Sequence, residues 1–259
     1  KLLKGDSLLK EPYIEILPEY ENCLDSNGDK LSLRDVAEKL TGAFEKDTDA
    51  KDFIENFISN GLMNYEPYAH QVEMLEKVFV NKKSTVINSG TGSGKTESFL
   101  LPLLASLYKE GKTWGTPNYN ANWFNESMGV GARQGYIPVQ RNGENRDAAV
   151  RSLILYPMNA LVEDQMTRLR KALDSDEVRS FFNKEEGLNG NRIFFGRYNG
   201  NTPVPGSTIV EAKKIKNKEK LDKIAKQSLK IQDFVELNRN TEGFNADDYL
   251  YIEPRLSQI

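Results

Sequence analysis

The chain is 259 residues long, and its 35 Lys and Arg against 38 Asp and Glu leave a net charge of −3, which excludes capture of nucleic acid by overall charge. Hydrophobic residues at 38% and charged residues at 28% exclude a chain that is disordered throughout, and the length suits one or two domains. One cysteine, Cys23, and one histidine, His70, exclude a structural zinc site within these residues, which takes about four Cys or His ligands, and exclude an internal disulfide.

The longest apolar run, Phe99 to Tyr108, spans ten residues and contains Pro102. That is about half of a bilayer span, so no membrane crossing is expected. The chain opens on Lys1 rather than Met, with no basic-then-apolar leader. The expectation is therefore a piece of a larger protein without a visible secretory signal, and a lone thiol points to a reducing cytoplasm.

In chain order, Pro12, Pro18 and the DSNGDK stretch from Asp25 to Lys30 punctuate a small leading region. Gly28 is fourth from Asp25 where a calcium loop needs its glycine sixth, so the stretch reads as a turn. Ser32 can cap a helix carrying Val36, Leu40 and Phe44, and Phe53, Ile54, Phe57 and Ile58 predict a second helix ending at Asn60-Gly61. From Tyr65 the pattern alternates. Helices are predicted over Gln71–Val80, Glu97–Lys109 and Ala160–Leu173, and strands over Ser84–Asn88, Ser152–Tyr156 and Arg192–Tyr198, an order that implies a parallel sheet with crossover helices.

Between Gly111 and Arg151 lies a Gly- and Asn-rich interruption holding Trp114 and Trp123, long enough to be an insertion with its own contacts. Its tryptophans either stack bases, at about 1–3 kcal/mol per base, or pack the insertion onto the domain. Lysines from Lys213 to Lys230 carry apolar partners at helical spacing and either follow a phosphate backbone or form a solvated face.

The most specific motif is Ser89-Gly90-Thr91-Gly92-Ser93-Gly94-Lys95-Thr96, between a predicted strand and a predicted helix. Its glycines let successive N–H groups face phosphates, and the helix that follows adds its positive end. Lys95 is placed for the β- and γ-phosphates and Thr96 for Mg²⁺, with Glu97 counted alongside them. Ser89 stands where Gly or Ala is usual. The loop therefore predicts ATP and Mg²⁺ as cofactors, with Lys95 and Thr96 in the catalytic role.

Upstream is Pro67-Tyr68-Ala69-His70-Gln71. A glutamine amide offers a donor and an acceptor in one plane and can pair with N6 and N7 of adenine, which makes Gln71 a candidate adenine reader; a helix-end glutamine with no ligand is the other reading. The element resembles the glutamine motif of superfamily 2 helicases. Leu155-Tyr156-Pro157-Met158-Asn159-Ala160-Leu161-Val162-Glu163-Asp164-Gln165 resembles motif Ia of that superfamily, where a helix start grips the nucleic-acid backbone. The resemblance assigns Pro157, Met158, Asn159, Ala160 and Gln165 to nucleic acid, with Asn159 where arginine is frequent; on the same helix Arg168 and Arg170 either make up for that arginine, with Arg168 the candidate nucleic-acid contact, or are solvated. Phe195-Gly196-Arg197-Tyr198-Asn199-Gly200-Asn201-Thr202-Pro203 resembles the Y-x-G-x-T-P element and adds Gly200 and Thr202.

The acidic box of such ATPases is not found. Asp176-Glu177 follows no β run and reads as a solvated helix or turn. Residues from about 62 to 206 thus resemble the first RecA-like domain of DEAD/DEAH-box superfamily 2 helicases, and the wording around the motifs is most similar to large bacterial anti-phage defence helicases of the DISARM and Druantia type. The expected fold class is α/β, a P-loop RecA-like parallel sheet with flanking helices behind a small helical region. In outline this gives 1–61 as an accessory region, 62–210 as the ATP-binding domain with the insertion at about 111–150, and 211–259 as a Lys-rich segment, together an incomplete piece of a larger motor hydrolysing little by itself. Expected partners are DNA, single-stranded or tailed, and proteins of a defence complex. DNA cross-link repair helicases, a duplex translocase and an ATP-binding scaffold without unwinding activity are the alternatives.

Overall fold

The computed structural model describes residues 19–90, 92–118, 143–147, 149–199, 230, 233–234 and 236–244. Thr91, Trp123, Gly200, Thr202 and the lysine-rich residues 213–229 lie outside the described residues.

Helix formation follows the local signals. Helix α1 (Leu33–Lys39) starts at Ser32, whose Oγ accepts from Asp35 N while Asp35 Oδ2 accepts from Ser32 N at 2.9 Å, a reciprocal capping box. It ends before Phe44. The chain turns through Gly42, at φ +76°, and Phe44 still reaches the core. Helix α2 (Asp47–Asp52) runs into a π-helical turn (Phe53–Ile58) and then α3 (Ser59–Gly61); Phe53, Ile54, Phe57 and Ile58 are all fully buried. Next come α4 (Ala69–Leu75), continued by a second π turn (Glu76–Val80), and α5 (Lys95–Gly111). Pro102 lies inside α5 without ending it. The remaining helices are α6 (Asn159–Asp174) and α7 (Asp176–Phe182).

These helices share one core. Phe57 meets Phe182 edge-on at 4.9 Å between ring centroids and Tyr108 at 6.0 Å, while Phe44 sits 4.9 Å from Phe79. Tyr108 Oη donates to Glu186 O at 2.8 Å, and burial pushes its hydroxyl pKa far up. Hydrophobic burial thus joins the leading helices to α5 and α7 with no gap near residue 61.

The sheet is the point of difference. Ser84–Asn88, Ser152–Tyr156 and Arg192–Tyr198 lie in neither helix nor strand, and among the described residues the only β pairing is two isolated bridges, Asn22 to Tyr68 and Leu24 to Lys30. Val86 is 92% exposed, Leu155 80% and Leu153 74%. A β-branched run selects extended backbone by itself, whereas a ladder needs a neighbour about 4.8 Å away, which for parallel strands comes from a distant part of the chain. Among the described residues the three predicted strands have no such neighbour. No helix among the described residues is long and apolar enough to cross a membrane.

Candidate nucleotide-binding site

Three pieces of chain converge on the glycine-rich loop. The loop itself turns through Gly92 (φ +75°) and Gly94 (φ +71°), backbone that side chains avoid. Gly94 then serves as N-cap of α5, which places Lys95, Thr96 and Glu97 on the first turn. Lys95 Nζ donates to Ser89 O at 2.6 Å and Gly90 O at 2.5 Å, so the lysine folds back over the loop. Ser93 Oγ donates to Gly90 O at 3.0 Å and shares a 2.7 Å hydrogen bond with Ser89 Oγ. Ser89, the unusual first residue, is therefore part of the loop's internal bracing. Thr96 is half-buried beside it.

The second piece is the start of α4. Gln71 is fully buried, and both ends of its amide are engaged: Oε1 accepts from Tyr68 N at 2.9 Å and Nε2 donates to Gly94 O at 3.1 Å. A methyl group on Gly94 would run into Gln71 Nε2. In this conformation the planar amide braces the loop against the helix start, a contact that its sequence position alone does not reveal. His70 Nε2 lies 2.8 Å from Ser93 O and its ring stacks on Tyr68 at 5.7 Å. The leading segment supports this arrangement, since Cys23 N donates to Pro67 O at 3.1 Å and Ala69 N to Glu21 O at 2.9 Å.

The third piece is α6. Pro157, Met158, Asn159 and Ala160 are exposed at its start, and its N-cap Met158 makes no side-chain cap, so the first-turn N–H groups face outward from an uncapped end. Arg168 is used differently. Its Nη1 donates to Glu97 Oε1 at 2.6 Å and its Nε to Asp164 Oδ2 at 3.2 Å. Gln165 is buried rather than set beside Asn159, with Nε2 donating to Asp164 Oδ2 at 3.4 Å. Six residues of α-helix turn through roughly 600°, which carries Gln165 well away from the face of Asn159, a signal available in the spacing. Arg197 pairs with Glu163, so residues 192–198 are also tied to α6.

Tyrosines flank this junction. Burial raises the Tyr65 hydroxyl, and the Glu97 carboxylate raises it further; burial also raises Tyr156, against the opposing pull of Arg168. Asp176 and Glu177 occupy the first turn of α7 behind the Ser175 cap, and Asp176 pairs with Arg179. That agrees with a solvated helix start rather than an acidic box. Trp114 packs under Arg146, whose guanidinium lies 3.4 Å from the ring centre, and its Nε1 donates to Glu110 Oε1 at 3.2 Å. With Asn118 N donating to Gly143 O at 2.8 Å, Trp114 fastens the base of the insertion.

A P-loop opening a helix, braced from upstream and joined to a second helix with an uncapped start, defines a nucleotide-binding domain of helicase type. Residues 68–193 match the DEAD/DEAH box helicase family. The chain is 29% identical over 207 residues, 79% of its length, to the Druantia protein DruE of Escherichia coli, of which this covers 9%. Over 74 residues, 27% of its length, it is 35% identical to the ATP-dependent DNA helicase YoaA of Haemophilus influenzae, covering 12% of that protein. The chain thus spans about a tenth of the length of the curated relatives it matches. No solved structure matches it significantly.

Proposed function

We propose that this chain is the ATP-binding front part of a DNA helicase or translocase that serves bacterial anti-phage defence. The observation that supports this best is the loop from Ser89 to Thr96, with Lys95 held over it by two carbonyls and the loop braced by Gln71. Similarity to a Druantia protein and to a helicase named for DNA supports the setting and the substrate. The residues fit a nucleotide with Mg²⁺: Gly92 turns the loop with open space beside it, Lys95 supplies a point charge, and the Thr96 hydroxyl supplies an oxygen ligand.

Bound ATP supplies a phosphoanhydride whose hydrolysis releases the free energy for movement. Lys95 exchanges its carbonyl partners for phosphate oxygens, and Thr96 holds the cation. The uncapped start of α6, with Pro157 to Ala160 exposed, holds a phosphate of the nucleic acid through backbone N–H groups whatever the base sequence. By the sequence pattern, residues 84–88, 152–156 and 192–198 are assigned to strands of a RecA-like sheet, with residues 62–210 as that domain. The test is Lys95→Ala in the full-length protein. DNA-stimulated ATP turnover should fall to background, and turnover at the wild-type rate would refute the proposal.

A further inference from the structure

Arg168 joins the two halves of the site. Its guanidinium bonds a carboxylate on its own helix, Asp164, and reaches across to Glu97 on the first turn of α5, two residues beyond Lys95. The two ends of this bridge differ in exposure: the Glu97 side chain is 11% exposed and that of Arg168 43%. Among the described residues Arg168 is the cation paired with Glu97. A carboxylate held this deeply depends on its partner, because an unpaired buried charge is costly. Glu97 also sits beside the loop brace, since Gly94 is approached by both Gln71 Nε2 and Glu97 Oε2. Nine residues before Arg168, about 14 Å along a rigid helix, α6 begins at Asn159. Arg197, paired with Glu163, ties α6 to residues 192–198 as well.

We propose that Arg168 is a positioning residue that couples the nucleotide loop to the nucleic-acid-facing start of α6 through Glu97, rather than a phosphate contact. The inference rests on the helicase reading above. When Lys95 leaves the carbonyls of Ser89 and Gly90, the first turn of α5 adjusts, and the Glu97–Arg168 bond carries that adjustment into α6. Each ligand then changes the affinity for the other by the same factor, and such factors run from about 5- to 150-fold.

The test measures binding of a fluorescent tailed DNA duplex to the full-length protein, with and without a non-hydrolysable ATP analogue. The wild type should show an affinity ratio between the two conditions in that range. Arg168→Ala and the bulkier Arg168→Gln should both bring the ratio close to one, and the exchange Glu97→Arg with Arg168→Glu should restore it. Equal losses with and without nucleotide, together with a salt slope shallower by about 0.9, would identify a direct phosphate contact and overturn the proposal. A wild-type ratio retained in both single variants would overturn it as well. A wild type that binds the nucleotide analogue yet no DNA would instead refute the helicase reading, and the coupling with it.

Discussion

Replacing Gln71 by alanine separates the two roles that its amide can play. In the structure Oε1 satisfies Tyr68 N at the start of α4 and Nε2 satisfies Gly94 O at the start of α5. Gly94 O keeps other donors after truncation, Ser98 N at 3.1 Å and Ser98 Oγ at 3.0 Å, so the orphaned group is the Tyr68 N–H. Losing the reciprocal cap costs about 1 kcal/mol, losing the Gly94 bond about 1 kcal/mol, and removing one buried methylene about 0.8 kcal/mol. Side-chain entropy regained on truncation offsets about 1 kcal/mol. The net expectation is a loss of about 2 kcal/mol, read by urea unfolding followed through tryptophan fluorescence. Nucleotide affinity should fall because the loop loses its brace, and it should fall equally for ATP and GTP. A stability change below about 0.5 kcal/mol together with a collapsed preference for ATP would refute this reasoning and return Gln71 to the role of adenine reader.

Two further outcomes test the core and its charges. Phe57→Ala should cost about 3–5 kcal/mol, since the ring is fully buried against Phe53, Tyr108 and Phe182; a loss below about 1 kcal/mol in urea unfolding would show that the leading helices do not share the core of α5 and α7. Asp52 is held above the ordinary aspartate pKa of 3.8 because burial disfavours its charged form, against a hydrogen bond from Asn56. Its folded pKa being raised, the protein carries no penalty below the unfolded value and loses stability as pH rises through the folded one. Asp52→Asn should therefore stabilise the chain at about pH 7 and lose that advantage below about pH 4, where both states of Asp52 are protonated; an advantage that persists at about pH 3 would show that charge is not the cause.

What could be read from the sequence was what lies within one stretch of chain. Ser32 with Asp35, the four apolar residues from Phe53 to Ile58, and the glycine-lysine loop ahead of α5 each carry their own instructions in neighbours a few residues apart. Asp164 and Arg168, four apart on α6, were legible in the same way. The contacts that build the site are different in kind. Gln71 reaches Gly94 across 23 residues, and Arg168 reaches Glu97 across 71, distances over which periodicity says nothing about partners. The sheet shows the same limit, because a five-residue run such as Ser84–Asn88 encodes its conformation but not its neighbour.

Charge, too evenly balanced over the whole chain to hold nucleic acid, is also committed locally. The arginines Arg168 and Arg197 are paired with carboxylates, Arg168 with Glu97 and Asp164, and Arg197 with Glu163. At the helix start itself stand Pro157, Met158, Asn159 and Ala160, none of them charged. Backbone N–H groups and the helix dipole are what remain there for a phosphate. Such a contact displaces few counterions, so this part of the grip should contribute little to the salt dependence of binding. It also leaves the strength of the grip to geometry, to how squarely α6 is aimed, and on the proposal above Arg168, which reaches back to the nucleotide loop, contributes to that aim.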